Sequence, residues 1–285
     1  MLKILVTGGN GQLGTCIKKA AAEYTDTLLF VFKSSSELDI TDEKAVYDAF
    51  EEGKYRYCIN SAGYTNVDGA EENKTLATRV NSTAVNYLTQ VCNRFDATLI
   101  HISTDFVFDG SQNTPYIEGD IPKACSVYGS TKLQGEEFIR ANAEKYFIFR
   151  TSWLYAEHGH NFLKSMLKYG TERERLGVVF DQIGTPTYAG DLAEVLVLFM
   201  VKEIREYGIF HFSNEGVASW YDFAKAIFEI NAIDVILRPI RTSEYPLPAQ
   251  RPSYSVLDKS KIKKTLNIEI SYWKDSLQKA CGLLE

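Results

Sequence analysis

The stretch Leu2-Lys3-Ile4-Leu5-Val6-Thr7-Gly8-Gly9-Asn10-Gly11-Gln12-Leu13-Gly14 decides how the rest of the chain is read. A short apolar run leads into a turn with glycines at 8, 11 and 14, and Leu13, Ile17, Ala21 and Tyr24 then recur at helical spacing. In a strand, turn and helix of this kind, Gly8 permits the tight turn and Gly11 lets backbone N–H groups approach a pyrophosphate. Gly14 allows the helix to pack closely on the strand, and the helix N-terminus faces the anion. Glycines alone would describe any tight turn. Their place directly after an opening strand is what points to a dinucleotide.

Moving outward, apolar runs at residues 2–6, 28–32, 58–60, 98–102 and 147–149 alternate with helical periods, the longest of them spanning residues 76–94. Such alternation means a parallel sheet covered by helices. Past Thr151 the pattern loosens into Gly, Pro and aromatic clusters at 153–161, 182–188 and 245–255, which read as loops of a smaller cap. Residues 189–203 nevertheless read as a helix and 208–212 as a strand, so the chain is expected to return to its first sheet. The expected architecture is α/β, a Rossmann-type doubly wound parallel sheet with a smaller, interleaved substrate-binding cap. Residues 1–152 and 185–212 would form the NAD(P)-binding part, and 153–184 with 213–285 mainly the cap.

Bulk properties narrow the function classes. A chain of 285 residues, 45% hydrophobic and 24% charged, can bury a sizeable core, which excludes disordered and fibrous readings. The net charge of −6 is spread along the sequence, whereas nucleic-acid binding wants a basic surface, so no nucleic-acid partner is expected. Cys16, Cys58, Cys92, Cys125 and Cys281 are widely spaced with no C-x-x-C pair, as suits buried thiols in a reducing compartment. The first apolar residues are too few for a signal peptide, and the longest apolar run, 195–201, falls short of the roughly 20 residues a bilayer demands. A cytoplasmic protein without a membrane partner is expected.

Dinucleotide specificity turns on the end of the second strand, where an acidic residue would accept hydrogen bonds from the ribose 2′-OH. Here the sequence is Phe32-Lys33-Ser34-Ser35. Lys33 and the two hydroxyls can hold a 2′-phosphate, so NADPH is favoured; Glu37 and Asp39 leave NADH possible.

Tyr128-Gly129-Ser130-Thr131-Lys132 opens a helix that continues through Gly135-Glu136-Glu137-Phe138, placing Tyr128 and Lys132 one turn apart on one face. Bringing a tyrosine from its ordinary pKa near 10 to about 7 takes roughly 4 kcal/mol. One lysine cation at about 4 Å supplies a comparable amount at an effective dielectric of about 20. Tyr128 tuned in this way would be the general acid in reducing a carbonyl. The strand at 98–102 ends in Ser103-Thr104-Asp105-Phe106, which puts hydroxyls at the carboxyl edge where open α/β sheets bind ligands. Thr104 is the expected hydroxyl partner of the carbonyl oxygen.

Gly8-x-x-Gly11-x-x-Gly14, Thr104 and Tyr128-x-x-x-Lys132 together resemble the extended short-chain dehydrogenase/reductase superfamily. Within it, the sequence is similar to the dTDP-4-dehydrorhamnose reductases. Carrying segments are Leu38-Asp39-Ile40-Thr41, Tyr64-Thr65-Asn66-Val67-Asp68, His101-Ile102-Ser103-Thr104-Asp105, Arg150-Thr151-Ser152-Trp153-Leu154-Tyr155, Asp181-Gln182-Ile183-Gly184-Thr185-Pro186-Thr187 and Arg251-Pro252-Ser253-Tyr254-Ser255-Val256-Leu257-Asp258. The resemblance implies reduction of the 4-keto group of a dTDP-linked deoxysugar, dTDP-4-dehydro-6-deoxy-L-mannose, with hydride passing from nicotinamide C4 to sugar C4. It implies Gly11, Gln12, Leu13, Asp39, Ile40, Ala62, Gly63 and Tyr64 along the cofactor, and Val67, Thr104, Asp105 and Trp153 at the sugar. Arg251 is added as a bidentate clamp for the substrate diphosphate.

Two departures from the family pattern stand out. Phe106 stands where many relatives carry Tyr. Thr15 and Gly190 stand near where some relatives, which dimerise around a divalent ion, carry carboxylates, so a homodimer is possible but a metal-bridged one is not expected. His158-Gly159-His160 is read as exposed loop histidines without a carboxylate or thiol nearby, and no metal is assigned. Trp220 and Trp273 are read as core.

Other readings of the same fold remain. A dehydratase commonly places Asp-Glu directly after the Thr, and Thr104-Asp105-Phe106 lacks that Glu; an epimerase is not separable by residues. A non-catalytic regulatory subunit resembling the methionine adenosyltransferase beta subunit could keep Tyr and Lys. Against it, Trp153 and the 181–187 segment follow the reductase pattern.

Overall fold

In the computed structural model, which describes residues 1–284, β1 (Leu2–Thr7) passes through the glycine turn into α1 (Gln12–Ala21). Glu285, the last residue of the segment assigned to the cap, lies outside the described residues. β2 (Leu28–Lys33), β3 (Tyr57–Asn60), β4 (Thr98–Thr104) and β5 (Tyr146–Thr151) follow where apolar runs place them. Each reaches one to three residues beyond its apolar run. The carboxyl-end additions, such as Thr7, Lys33, Thr104 and Thr151, are polar residues that a hydrophobic pattern does not count, yet they continue the parallel ladder.

With β6 (Gly208–His211) the sheet has the order β6-β5-β4-β3-β1-β2, every pairing parallel. The order reverses between β1 and β3, the switch point at whose carboxyl side open sheets bind ligands. α1 and α5 (Ala189–Val201) cover one face, burying Ile17, Leu192 and Phe199 against Val6, Phe147 and Phe149. α2 (Glu43–Gly53) and α3 (Ala84–Arg94) cover the other, with Phe50 and Leu88 against Leu5 and Leu99. Ile139 of α4 (Val127–Asn142) joins that second face. Each such side chain contributes about 1.5–3 kcal/mol when fully buried.

The helical period at 76–94 is not one helix. A helix at Lys74–Thr78 passes into a π turn, Arg79–Thr83, before α3 begins. The extra residue re-aims Asn81, and π turns of this kind gather at functional sites. α5 likewise ends at Val201, short of the expected residue 203, where Glu203 adopts a positive φ of 49°.

After β5 the chain leaves the sheet, returns for α5 and β6, and leaves again. Helices Phe162–Glu172, Trp220–Ile230 and Trp273–Cys281 pack Leu163, Phe223 and Leu277 into a separate core. Strand pairs Arg175–Val179 with Ile236–Ile240, and Ile183–Gly184 with Ala218–Ser219, complete this layer. The helix Ser260–Leu266 lies instead on the sheet: Ile262 and Leu266 join the α1 and α5 core, and Lys261 Nζ donates to Ile209 O at 2.7 Å. That part of the 213–285 stretch therefore sits with the sheet rather than the cap.

All five cysteines are free. Cys16, Cys58 and Cys92 are buried as expected, but Cys125 and Cys281 are half-buried, lying on the turn before α4 and at the end of the last cap helix. Among the described residues no helix is long and apolar enough to cross a membrane.

Candidate active site

The turn after β1 is a cradle defined by missing side chains. Gly8 has φ +67°, and a Cβ there would stand 2.8 Å from Ala62 N of the segment following β3. A Cβ on Gly14 would stand 2.5 Å from Gly8 O, so helix and turn touch backbone to backbone. Gly11 closes the loop by donating its N–H to Gly8 O at 2.9 Å and opens α1 with no side-chain cap. Uncapped first-turn N–H groups at the sheet's switch point suit a pyrophosphate, and Gln12 and Leu13 are the first residues to present them. The cradle fits the dinucleotide expected from its sequence.

On its far side, Lys33 O accepts the Gly9 N–H at 2.9 Å, which pins the loop to β2. Ser34 departs from expectation. Its hydroxyl and N–H both donate to Glu37, at 2.6 and 2.8 Å, and these bonds hold the Glu37 carboxyl below its usual range. The Ser34 hydroxyl read as a phosphate ligand is thus already engaged by a local turn. Asp39 accepts from the N–H and hydroxyl of Thr41 ahead of α2, and Ile40 is buried beside it. Ala62, Gly63 and Tyr64 continue from β3; the Tyr64 backbone is held at both ends by Asn81, whose Oδ1 accepts at 2.8 Å and whose Nδ2 donates at 3.0 Å. Asn81 also donates to Thr131 of α4 at 3.2 Å. Sequence reasoning missed Asn81; the break in the helical period is its only local signal.

Thr104, Tyr128 and Lys132 converge at the carboxyl end of β4. Ser126 caps α4 by accepting the Gly129 N–H at 3.2 Å, and a Cβ on Gly129 would stand 2.2 Å from Phe106 O. Only glycine lets the start of α4 press so closely onto the turn after β4, and this brings Tyr128 beside Thr104, whose hydroxyl donates to Asp105 Oδ1 at 3.1 Å. Phe106 meets the Tyr128 ring edge-on at 5.7 Å. Ser103, the neighbouring hydroxyl, turns inward and donates to Glu136 at 2.5 Å, so Thr104 is the one at the site.

The expected tuning of Tyr128 is corrected by the geometry. Burial pushes its phenol up to about 12, opposed by the Thr104 hydrogen bond and reinforced by Asp105. Tyr128 as a whole is half-buried, whereas Lys132 is buried, and that burial pushes its ammonium down to about 8, against the pull of Glu136. Its Nζ donates to Ile102 O at 2.5 Å and lies 3.3 Å from His101 Nε2. A dielectric of about 20 understated the desolvation of both groups.

Toward the cap, Asp105 is buried and its carboxyl is raised to about 6 by that burial; its Oδ2 has no hydrogen-bond partner among the described residues. Val67 begins the helix Val67–Glu72, half-buried. Trp153 adopts φ 46° and stacks on Trp220 with centroids 3.6 Å apart, and a Cβ on Gly184 would stand 2.7 Å from its indole. Trp220 is half-buried, packed against the edge of the cap core as well as on Trp153, whereas Trp273 is buried within that core. Arg251 also departs from expectation: its η nitrogens donate to Asp68 at 3.1 and 2.7 Å, and Nη1 also donates to Ala249 O. Burial would raise the Asp68 carboxyl, but Arg251 and the Ala249 amide outweigh it and hold it low. The guanidinium assigned to a phosphate here joins the helix Val67–Glu72 to the C-terminal segment.

His158 is half-buried, not exposed, and it does have carboxylate and thiol neighbours. Cys16, Glu157 and His158 bring one potential ligand atom each within 4.8 Å of the others. These atoms have protein partners already. His158 Nε2 lies 3.1 Å from Gln12 O, Glu157 pairs with Lys19 at 2.5 Å, and Glu157 accepts from Tyr188 at 3.1 Å. With Asn161 Nδ2 donating to Gln12 Oε1 at 2.8 Å, the cluster ties the start of α1 to the 157–161 loop.

The family model described as RmlD substrate binding domain matches residues 2–284. A dTDP-4-dehydrorhamnose reductase of Aggregatibacter actinomycetemcomitans is 40% identical over 290 residues, covering 98% of this chain and 98% of the relative. Among solved structures, a dTDP-4-dehydrorhamnose reductase from Clostridium acetobutylicum superposes with a TM-score of 0.94 at 41% identity, covering 99% of each chain. The Bacillus anthracis dTDP-4-dehydrorhamnose reductase in complex with NADP gives 0.93 at 34% identity, again over 99% of each.

Proposed function

The chain belongs to the RmlD substrate binding domain family, and from that premise we propose that it reduces the 4-keto group of dTDP-4-dehydro-6-deoxy-L-mannose with NADPH, giving dTDP-L-rhamnose. The observation that carries the reading is the convergence of Thr104, Tyr128 and Lys132 beside the glycine cradle. A nicotinamide dinucleotide held along Gly8, Gly11, Gln12, Leu13, Lys33, Asp39, Ile40, Ala62, Gly63 and Tyr64 supplies the hydride. Tyr128 gives its proton to the oxygen on which negative charge develops, and Thr104 donates a hydrogen bond to the same oxygen. A phenol near 12 keeps its proton at neutral pH until an alkoxide, a stronger base than phenolate, forms beside it. Lys132 then stabilises the phenolate left behind.

In this reading residues 1–152 and 185–212 hold the cofactor, and 153–184 with most of the chain from 213 onward hold the sugar. Val67, Asp105 and Trp153 meet the sugar. A cytoplasmic location and a homodimer complete the proposal on family resemblance. The test is loss of absorbance at 340 nm when the protein meets enzymatically prepared keto-sugar with NADPH or NADH, beside Tyr128→Phe. Turnover by the wild type and its loss in the variant are expected. A folded, cofactor-binding wild type that turns over neither mixture would refute the reading.

A further inference from the structure

Lys132 is set against a row of buried polar residues for which hydride and proton delivery have no use. On the α4 side of the sheet, Thr7 of β1 pairs in register with Asn60 of β3, and Asn60 with His101 of β4, all three fully buried. Thr7 Oγ1 lies 2.7 Å from Asn60 Oδ1, Asn60 Nδ2 lies 3.1 Å from His101 Nδ1, and His101 Nε2 lies 3.3 Å from Lys132 Nζ. Two positions further along β4, the same face carries Ser103, in register with Arg150 and through it with His211. Ser103 and Arg150 converge on Glu136, one helical turn beyond Lys132. Polar side chains on a sheet face are costly to bury unless each is satisfied, so such a row is a built feature.

The chemistry of the row follows from the imidazole. A neutral imidazole carries one N–H, so its two nitrogens cannot both accept. With the Asn60 amino group toward Nδ1, the proton sits on Nε2, which can donate to a neutral Lys132 amine and opposes an ammonium. With the Asn60 amide turned over, its oxygen accepts from Nδ1–H, the Thr7 hydroxyl accepts from its amino group, and Nε2 accepts from the Lys132 ammonium. Both imidazole nitrogens and the Lys132 nitrogen are satisfied in both arrangements, which differ by one proton, carried on Lys132. Ile102 O accepts from Lys132 in either.

We propose that His101 is a positioning residue whose tautomer follows the charge of Lys132, so that the sheet interior accommodates Lys132 with and without its proton. The proposal rests on the reading of Tyr128 and Lys132 given above. Glu136 of α4 acts on Lys132 directly and is itself paired with Arg150 of β5; Tyr128 lies one helical turn before Lys132, with Asp105 acting on it. Burial and the nearby Lys132 hold His101 well below its ordinary value, so it stays neutral while Lys132 titrates near 8.

Two measurements test this. In protein labelled with ¹⁵N at its four histidines, the ring nitrogens of His101 should exchange their protonated and unprotonated shifts between pH 6.5 and pH 10. That exchange should vanish in Lys132→Met. One tautomer with unchanged shifts across the range would overturn the proposal, and this readout does not depend on turnover. In the pH profile of kcat, His101→Phe removes the acceptor of the ammonium and should lower the alkaline limb by about one pH unit. His101→Gln, whose amide oxygen can reach the Nε2 position, should restore most of that shift. An unmoved limb in a folded His101→Phe protein would also overturn it. Tyr128→Phe run alongside separates the two claims: wild-type turnover there refutes the role given to Tyr128 on which this rests, whereas an inactive Tyr128→Phe beside an unmoved His101→Phe limb refutes only the role of His101.

Discussion

The glycine cradle and the proposed catalytic triangle of Thr104, Tyr128 and Lys132 meet at one sheet edge and are built on opposite principles. Around Gly8, Gly11 and Gly14 the site exists because side chains are missing, and the backbone does the recognising. Around Tyr128 it exists because polar side chains are buried, and burial sets their proton affinities, moving Tyr128 up to about 12, Lys132 down to about 8 and Asp105 up to about 6. The cradle is a matter of shape. The triangle is a matter of electrostatic poise, so the two should fail in different ways when disturbed.

The sharpest way to break that contrast is Gly8→Ala. A methyl placed 2.8 Å from Ala62 N at φ +67° strains the turn. Strain of about 1–3 kcal/mol would weaken NADPH up to roughly 100-fold in calorimetric titration. The pH profile of the bound enzyme should stay where it is; affinity within twofold of wild type would show that the cradle is not the binding surface.

Asp105→Asn probes the other principle. Because burial raises this carboxyl to about 6, it is mostly ionised only above that pH, where it accepts a sugar hydroxyl in a stronger, charge-assisted hydrogen bond. In the wild type kcat/KM should therefore rise through pH 6 and level off. In the variant that limb should flatten, with a value about 10-fold lower at pH 8, from a charged hydrogen bond of roughly 1.5 kcal/mol. An acid limb that survives in the variant would assign it to another group. Trp153→Ala should have the smallest effect, because the Trp153 and Trp220 stack is worth about 0.5–1.5 kcal/mol. KM for the sugar should rise about two- to tenfold with kcat nearly unchanged; a fall in kcat instead would place Trp153 nearer the chemistry.

The same contrast explains what could be read from the sequence. The cradle is local: its glycines fall within seven positions and follow a strand, so their roles are written in order. The Tyr128 and Lys132 spacing is local too, and the structure places both with Thr104. What surrounds them is not local. His101, Asn60 and Thr7 sit on separate strands, and only the parallel register brings them into a row against Lys132. Arg251 was given to a phosphate because its partner Asp68 lies far away in sequence, and Ser34 because its neighbour Glu37 folds back on it. Trp220 was taken for core alone because nothing near it in the chain announces Trp153. The strand ends were cut short by counting only apolar residues, although the functional groups sit on the polar residues that follow them.

The most direct test of the central claim follows the hydride. NADPH deuterated at nicotinamide C4, mixed with the protein and the 4-keto sugar, should deliver deuterium to sugar C4, read by NMR of the isolated product as dTDP-L-rhamnose labelled at that carbon alone. Product with no deuterium at C4, or a sugar inverted without oxidation of the dinucleotide, would contradict it and point to epimerisation on the same fold.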